Sequence, residues 1–351
     1  MQDFFFAKIE KMVVHRIGNK LCGDRLLCSK TLLDVNPSIE LLLKHYFLSP
    51  FKQDNYYTFV HDSDLSMNEV FTYASTIFND PSTLYAQSLL LAQHLFDQSM
   101  HPKIKSGELY VVYLKDCMFE NNATDAIGIF KSESKDTFLK VYPTGENFEV
   151  ESDKGVNINK LDKGAVIFNI EKDSGYVVSV IDNVNKGIEA QYWVDDFLHV
   201  KPRRDGYYHT QNIMSLYSDF ITQTVATGEK SKADKAKMMN KTIQFLKEND
   251  MFDMNRFMTE VVQDETLIKN FSDYRHSKMA EGLTEQQPEL QDATFEINNV
   301  ALKKETQRLK SGIKLDDNFL IKILSPDAQI VKGYDEQKGL HYYQLFYNEE
   351  S

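Results

Sequence analysis

The spacing of hydrophobic positions changes from helical to strand-like and back along the chain, and each change marks out elements. Met12–Val14 and Leu26–Leu27, on either side of the turn-prone Gly18-Asn19, predict an early hairpin. Asn36-Pro37 is a helix start, because asparagine caps the free amides and proline at the first helical position gives up an N–H that had no partner. Ile39, Leu42, Leu43, Tyr46 and Phe47 then follow the i, i+3, i+4, i+7, i+8 rule of an amphipathic helix. Ser66 with Glu69 reads as a capping box ahead of Val70, Phe71, Ala74, Ile77 and Phe78, and Asp80-Pro81 opens a third helix through Leu84, Leu91 and Leu95. After Gly107 the period drops to two. LYVVYL (109–114), AIGIFK (126–131) and TFLKVY (137–142) predict a meander, with SESKD (132–136) as one of its turns. GAVIFNI (164–170) and YVVSVID (176–182) predict a further hairpin across Glu171–Gly175.

Proline, glycine and charge crowd together in KPRRDGYY (201–208), which reads as a domain boundary. Beyond it Ile213, Leu216, Tyr217, Phe220 and Ile221 form one helical stripe, and Ser231 with Asp234 predicts a cap before Met239, Ile243 and Leu246. More helix is expected over 255–280, a polar linker at EGLTEQQPEL (281–290), and a basic helix from about 299 to 310. FLIKIL (319–324), AQIVKG (328–333) and LHYYQLFY (340–347) close the chain as strands. The reading is an α+β fold. Residues 1–205 form a domain of helices plus an antiparallel sheet with a central meander; residues 206–351 form a mainly helical domain ending in a small three-stranded antiparallel sheet.

Composition narrows the function. A chain of 351 residues, 42% hydrophobic and 26% charged, has ordinary globular make-up and the length of two domains or three. The net charge of −12 rules out a uniformly basic surface, so any contact with a polyanion must be local. Three cysteines, Cys22, Cys28 and Cys117, match neither a zinc knuckle nor a redox pair and fit reduced thiols in a cytoplasm. Phe4–Ala7 is too short for the apolar region of a signal peptide, and no run approaches the ~20 apolar residues that cross a bilayer. The expected protein is soluble and cytoplasmic, with no membrane partner.

No catalytic, metal or cofactor signature emerges. The nine histidines include no HExxH pair, and His94 and His101 stand two helical turns apart. Thr227–Ser231 resembles the end of a phosphate loop, but Gln223 occupies the place of the leading glycine and Lys230 follows Glu229; GxGxxG and GxSxG are missing. Asp195-Asp196, Asp316-Asp317 and His61–Asp64 read as solvated surface, since neighbouring carboxylates on a strand point to opposite faces. The basic residues are more informative. Lys303, Lys304, Arg308, Lys310 and Lys314, opposed only by Glu305, carry a local charge of +4, and Lys304 and Arg308 share a helix face. Lys201, Arg203 and Arg204 form a second cluster beside Tyr207 and Tyr208; Lys230, Lys232, Lys235, Lys237 and Lys241 form a third. The residues of the first two clusters are the predicted nucleic-acid contacts.

The middle of the chain carries a family resemblance. KSESKDTFLK (131–140), GVNINKLDKGAVIFNIEKDSGYVVSVID (155–182) and EAQYWVDDFLHV (189–200), with KMVVHRIGNK (11–20) near the start, resemble the bacterial nucleoid-associated proteins of the NdpA type. Lys131, Lys140, Lys160 and Lys163 lie within those motifs as further phosphate-contact candidates, or else as lysines of strand edges and turns. The resemblance implies a non-enzymatic protein of the cytoplasm and nucleoid, needing no cofactor, that meets double-stranded DNA directly or through topoisomerase or other nucleoid proteins. A homodimer fits the family and would double the basic clusters offered to a duplex. Two other readings stand beside this one: an adaptor that binds nucleoid or topoisomerase proteins, and a metal-dependent DNA-processing enzyme using scattered carboxylates.

Overall fold

The computed structural model describes residues 2–349 apart from 53, 54, 121, 185–191, 228, 229, 281–293, 310 and 311. The predicted linker at 281–290, Lys310 and Gly228-Glu229 therefore lie outside the described residues. The fold is mixed α+β, and the chain divides into two compact units, Met1–Arg203 and Arg204–Ser351.

The first unit is built on strands β1 (Gln2–Asp3), β2 (Lys8–Ile17), β3 (Leu27–Cys28), β4 (Tyr56–Phe59), β5 (Gly107–Phe119), β6 (Asn122–Ser132), β7 (Asp136–Thr144), β8 (Asn147–Gly155), β9 (Lys163–Phe168), β10 (Val177–Asp182) and β11 (Val200–Pro202). One antiparallel sheet runs β11-β4-β10-β9-β6-β5-β2-β3, with β1 beside β5; β7 and β8 pair only with each other. Every residue of β9 is buried, so its two faces feed two cores. Ala165 and Ile167 face one with Val13, Val111 and Ile129, under helices α2 (Glu69–Asn79) and α3 (Leu84–Gln98) and a π-helical turn at Tyr192–Leu198 that brings in Trp193 and Phe197. Val166 and Phe168 face the other with Met12, Val112 and Phe130, closed by Tyr46 and Phe47 of helix α1 (Pro37–Leu48).

Local chemistry explains most of these elements. Asn36 accepts from Ser38 N and Pro37 opens α1. The β9–β10 turn runs from Glu171 (φ 55°) to Gly175 (φ 91°), whose absent side chain lets Phe59 of β4 donate its N–H to Gly175 O at 2.9 Å. Helix α2 starts later than the Ser66 capping box predicts. Asp64 caps a short 3-10 turn at Leu65–Met67, and the cap of α2 is Asn68, whose Oδ1 accepts from Phe71 N at 3.0 Å. Its Nδ2 lies 3.0–3.2 Å from the carbonyls of Val60, Leu198 and His199, so tertiary contacts fix this start. The apolar stripe of α1 is buried only at its end: Tyr46 and Phe47 are in the core, whereas Ile39 and Leu42 are exposed.

The meander also differs from expectation. β5 and β6 are neighbours, but the far side of β6 pairs with β9 in the register Lys131↔Lys163, and β7 leaves the sheet. SESKD is not a hairpin turn. Asp162 Oδ2 accepts from Glu133 N (2.6 Å) and Ser134 N (2.7 Å) and steers the chain away from β6.

In the second unit helices α4 (Gly206–Ala226), α5 (Lys232–Glu248), α6 (Met254–Phe257), α7 (Glu265–Ala280) and α8 (Asn299–Arg308) surround an aromatic core. Tyr217 of the predicted stripe meets Phe257 and Phe271 edge-on, each at 5.1 Å. Strands β12 (Met251–Asp253) and β13 (Thr294–Glu296) pair across it. Helix α5 starts with the expected capping box: Asp234 N donates to Ser231 Oγ and Ser231 N to Asp234 Oδ2. The C-terminal strands form two hairpins rather than one three-stranded sheet: β14 (Gly312–Leu315) with β15 (Phe319–Lys322), and β16 (Gln329–Asp335) with β17 (Leu340–Phe346). Pro326, which has no N–H to give to a ladder, separates them. Ile313, Ile323, Ile330 and Tyr343 hold both hairpins against Ala233 and Ala236 of α5.

Candidate nucleic-acid interface

Seven of the eight predicted contact residues are among those described, and they fall into distinct settings. On α8, Asn298 caps the first turn by accepting from Val300 N and Ala301 N, both at 3.0 Å, and Ala301, Leu302 and Glu305 face inward. Lys303 and Lys304 are exposed; Lys304 Nζ donates to the Tyr207 hydroxyl at 3.2 Å and lies 5.9 Å from its ring centre. Arg308 places Nε 2.7 Å from the buried Glu305 carboxylate, which also accepts from Gln211 at 3.0 Å. Lys314 pairs with Asp317 at 2.6 Å. In the first unit Lys201 is exposed on β11, and Arg203 pairs with Glu171 at 2.9 Å. Arg204 is exposed at the start of the second unit. Arg203, Arg308 and Lys314 thus bring carboxylates with them; Glu305 is already counted against its cluster, but Glu171 and Asp317 leave Arg203 and Lys314 with less net charge for a phosphate than the sequence count implies.

The structure assembles cations elsewhere. Lys230, Lys232, Lys314, Lys332 and His341 line a cleft of about 740 Å3 between the start of α5 and strands β14, β16 and β17. Its walls carry one carboxylate, Asp316. The α5 amides are not the attraction, because Ser231 and the Asp234 carboxylate already satisfy that terminus. The attraction is the convergence of ammonium groups. Lys314 also belongs to a second cleft of about 1100 Å3, lined by Lys247, Lys322, Ile243, Leu320 and Leu324. The sequence reading groups Lys230 and Lys232 in its third cluster and overlooks Lys332 and His341. Their signal is the two-residue period: Lys332 pairs with Tyr343 and His341 with Tyr334, all on one face of the last hairpin.

Lys131 and Lys163 are not surface lysines. Both are fully buried, with their ammonium groups 5.5 and 5.2 Å from the Tyr192 ring centre. Lys131 Nζ bonds to Glu133 Oε1 (2.8 Å), Lys105 O (3.0 Å) and the Tyr192 hydroxyl (3.2 Å), and Lys163 pairs with Asp182 at 2.6 Å. Burial holds the Lys131 ammonium below its ordinary value against the pull of Glu133, and it raises the Tyr192 hydroxyl well above 10. Lys140 is exposed but paired with Asp153 at 2.7 Å. Residues 131–133, 161–168 and 175–179 of the family-like motifs are buried and build a core, whereas 135–140 and 157–160 are exposed.

The other titratable groups have structural roles. Asp195-Asp196 sits on the π-helical turn, not on a strand; burial and the Asp196 charge push the Asp195 carboxyl up. Asp64 caps a turn and Asp317 holds Lys314. His94 bonds to the Phe197 carbonyl at 3.0 Å, and His101 accepts from Lys103 N at 3.3 Å. Among the described residues no group of histidine, cysteine and carboxylate is placed to hold a metal, and no helix is long and apolar enough to cross a membrane. Cys22, Cys28 and Cys117 are free thiols, and burial pushes Cys117 up to about 12.

The class defined by these features is an α+β protein with a buried ionic core in one unit and a lysine-rimmed cleft in the other. The family model of nucleoid-associated protein YejK matches residues 13–339, and the chain belongs to that nucleoid-associated family. No curated relative matches the chain.

Proposed function

We propose that this protein is a non-enzymatic nucleoid-associated protein that binds double-stranded DNA by phosphate contact, with little base preference, and resides with the chromosome in the cytoplasm. The observation that carries the reading is the cleft lined by Lys230, Lys232, Lys332 and Lys314, with Asp316 on its wall and Asp317 paired to Lys314. In a chain of net charge −12, such a local concentration is what lets a surface approach a polyanion. Lys303, Lys304, Arg308 and Lys310 would extend the contact along α8 and beyond it, and Lys201, Arg203 and Arg204 would add a separate one. If about four phosphates are neutralised, log K falls with log salt at a slope near −4, on the order of a hundredfold weaker between 50 and 200 mM.

A mobility-shift titration at several salt concentrations tests this. The expected result is retention at low salt that is lost along that slope, and weakened on the order of a hundredfold by Lys230→Glu with Lys232→Glu and Lys332→Glu. Charge reversal at Lys303, Lys304 and Arg308 should remove most of the remaining affinity. Absence of salt-sensitive retention would overturn direct binding. The acidic remainder of the surface favours a second reading, an adaptor for topoisomerase or other nucleoid proteins. Capture of such a partner that survives nuclease treatment would support it.

A further inference from the structure

The lysine-rimmed cleft of the second unit is lined by more than a phosphate rail uses. Lys232, Lys332 and His341 on its walls are exposed, and Lys230 is half-buried. Between them lie Ile313, 2% exposed, and the half-buried Leu315 and Tyr343. A DNA duplex is convex, so its backbone meets the exposed cations and leaves these apolar side chains untouched.

The interior suits a compact anion. Its volume of about 740 Å3 falls within the roughly 300–1,000 Å3 of small-molecule sites. Its positive charge is available: among the described residues no carboxylate pairs with Lys230, Lys232 or Lys332, whereas Lys314 is held by Asp317. Asp316 is the carboxylate on the wall, and Asp234, whose charge acts on Tyr343, is engaged by the Ser231 amide and hydroxyl. The aromatic groups are fixed. Tyr343 stands opposite Lys332 in the β16–β17 register and packs with Ile313 against Ala233 and Ala236, and the His341 ring lies 4.9 Å from that of Tyr334. Ammonium groups beside a held aromatic ring recognise clustered phosphates joined to a flat ring system.

We infer that this cleft is a receptor for a nucleoside polyphosphate, its phosphates on Lys230, Lys232 and Lys332 and its base against Tyr343, and that this ligand competes with DNA. The inference rests on the reading of the cleft as a phosphate-binding site and adds a small-molecule control to it. A bound polyphosphate sets its own charge among the lysines, so a duplex loses the local attraction that offsets a chain charge of −12.

Isothermal titration of the full chain, in phosphate-free buffer at low salt, compares ATP, inorganic triphosphate and adenosine. ATP is expected to bind with a dissociation constant of about 100 µM or below. Inorganic triphosphate should bind about tenfold more weakly, and adenosine not measurably. Lys230→Glu with Lys232→Glu and Lys332→Glu should abolish the ATP signal. Tyr343→Leu, which keeps apolar volume but removes the ring, should weaken ATP about tenfold and inorganic triphosphate less, and Tyr343→Phe should bind ATP as wild type does. Unchanged circular dichroism and melting exclude unfolding of these variants. In the mobility shift, ATP at about ten times its dissociation constant should raise the apparent dissociation constant of DNA about tenfold. Failure of ATP to bind at about 1 mM overturns the inference, and DNA retained in that case leaves the DNA reading standing. ATP binding without any DNA retention has the opposite meaning. Equal affinity for ATP and inorganic triphosphate would overturn the nucleoside assignment, and ATP that binds without displacing DNA would overturn the competition.

Discussion

The two units treat lysine in opposite ways. In the first, Lys131 and Lys163 stand side by side on β6 and β9 with no exposure, each matched to a carboxylate and both near the Tyr192 ring. In the second, Lys230 and Lys232 at the start of α5, Lys314 of β14 and Lys332 of β16 come to the wall of an open cleft. A lysine in a charged motif is therefore no guide to a surface until its depth is known. The buried lysines of the family-like motifs hold the fold, and less conspicuous ones face the solvent.

The comparison breaks most visibly at Glu133. Removing its carboxylate leaves a buried ammonium without its counter-charge, so Glu133→Ala should cost about 3–5 kcal/mol of unfolding free energy in a denaturant titration. Reversing Lys230, Lys232 and Lys332 together should instead leave stability within about 0.5 kcal/mol while reducing DNA affinity on the order of a hundredfold. If the cleft variants unfold the protein, the contrast between the units fails. Ser231→Ala, which removes the capping box of α5 at the edge of the cleft, should cost about 1 kcal/mol.

A smaller effect follows from titration. Burial lowers the Lys131 ammonium in the fold, so below 10.5 the native state sheds its proton before the unfolded chain does. Lys131 therefore adds stability as pH rises towards 10.5. The unfolding free energy of wild type relative to Lys131→Met should move in favour of wild type over that window. Tyr192, raised by burial, acts in the opposite sense above pH 10, and repeating the titration on a Tyr192→Phe background separates the two. Thiol labelling gives the finest distinction. Cys22 and Cys28, both exposed, should alkylate in the native protein, while Cys117, pushed up to about 12, should react only after denaturation.

Much of the fold is legible in the sequence because local rules act alone there. Asn36-Pro37 opens a helix, Ser231 and Asp234 cap one, and Glu171–Gly175 turns a hairpin. The misreadings come from partners distant in sequence. Asp162 reaches back to Glu133 and Ser134 and sends TFLKVY out of the sheet; Asn68 displaces the Ser66 cap because it also bonds to carbonyls near residue 198. The candidate site follows the same division. Lys304 and Arg308 share a helix face, as their spacing of four requires, and the Arg308–Glu305 and Lys314–Asp317 pairs join residues three apart, but the Arg203–Glu171 pairing and the arrival of Lys332 and His341 at the cleft depend on tertiary packing.

Asn68 has a consequence for the lifetime of the protein. Its amide nitrogen faces three backbone oxygens while its amide oxygen caps α2. Spontaneous deamidation would exchange that donor for an anionic oxygen, keep the cap, and turn three attractions into three repulsions where β4, α2 and the chain near residue 198 meet. Deamidation at this position would thus loosen the seam, and it would register as a gain of one unit of negative charge together with easier proteolysis near His199.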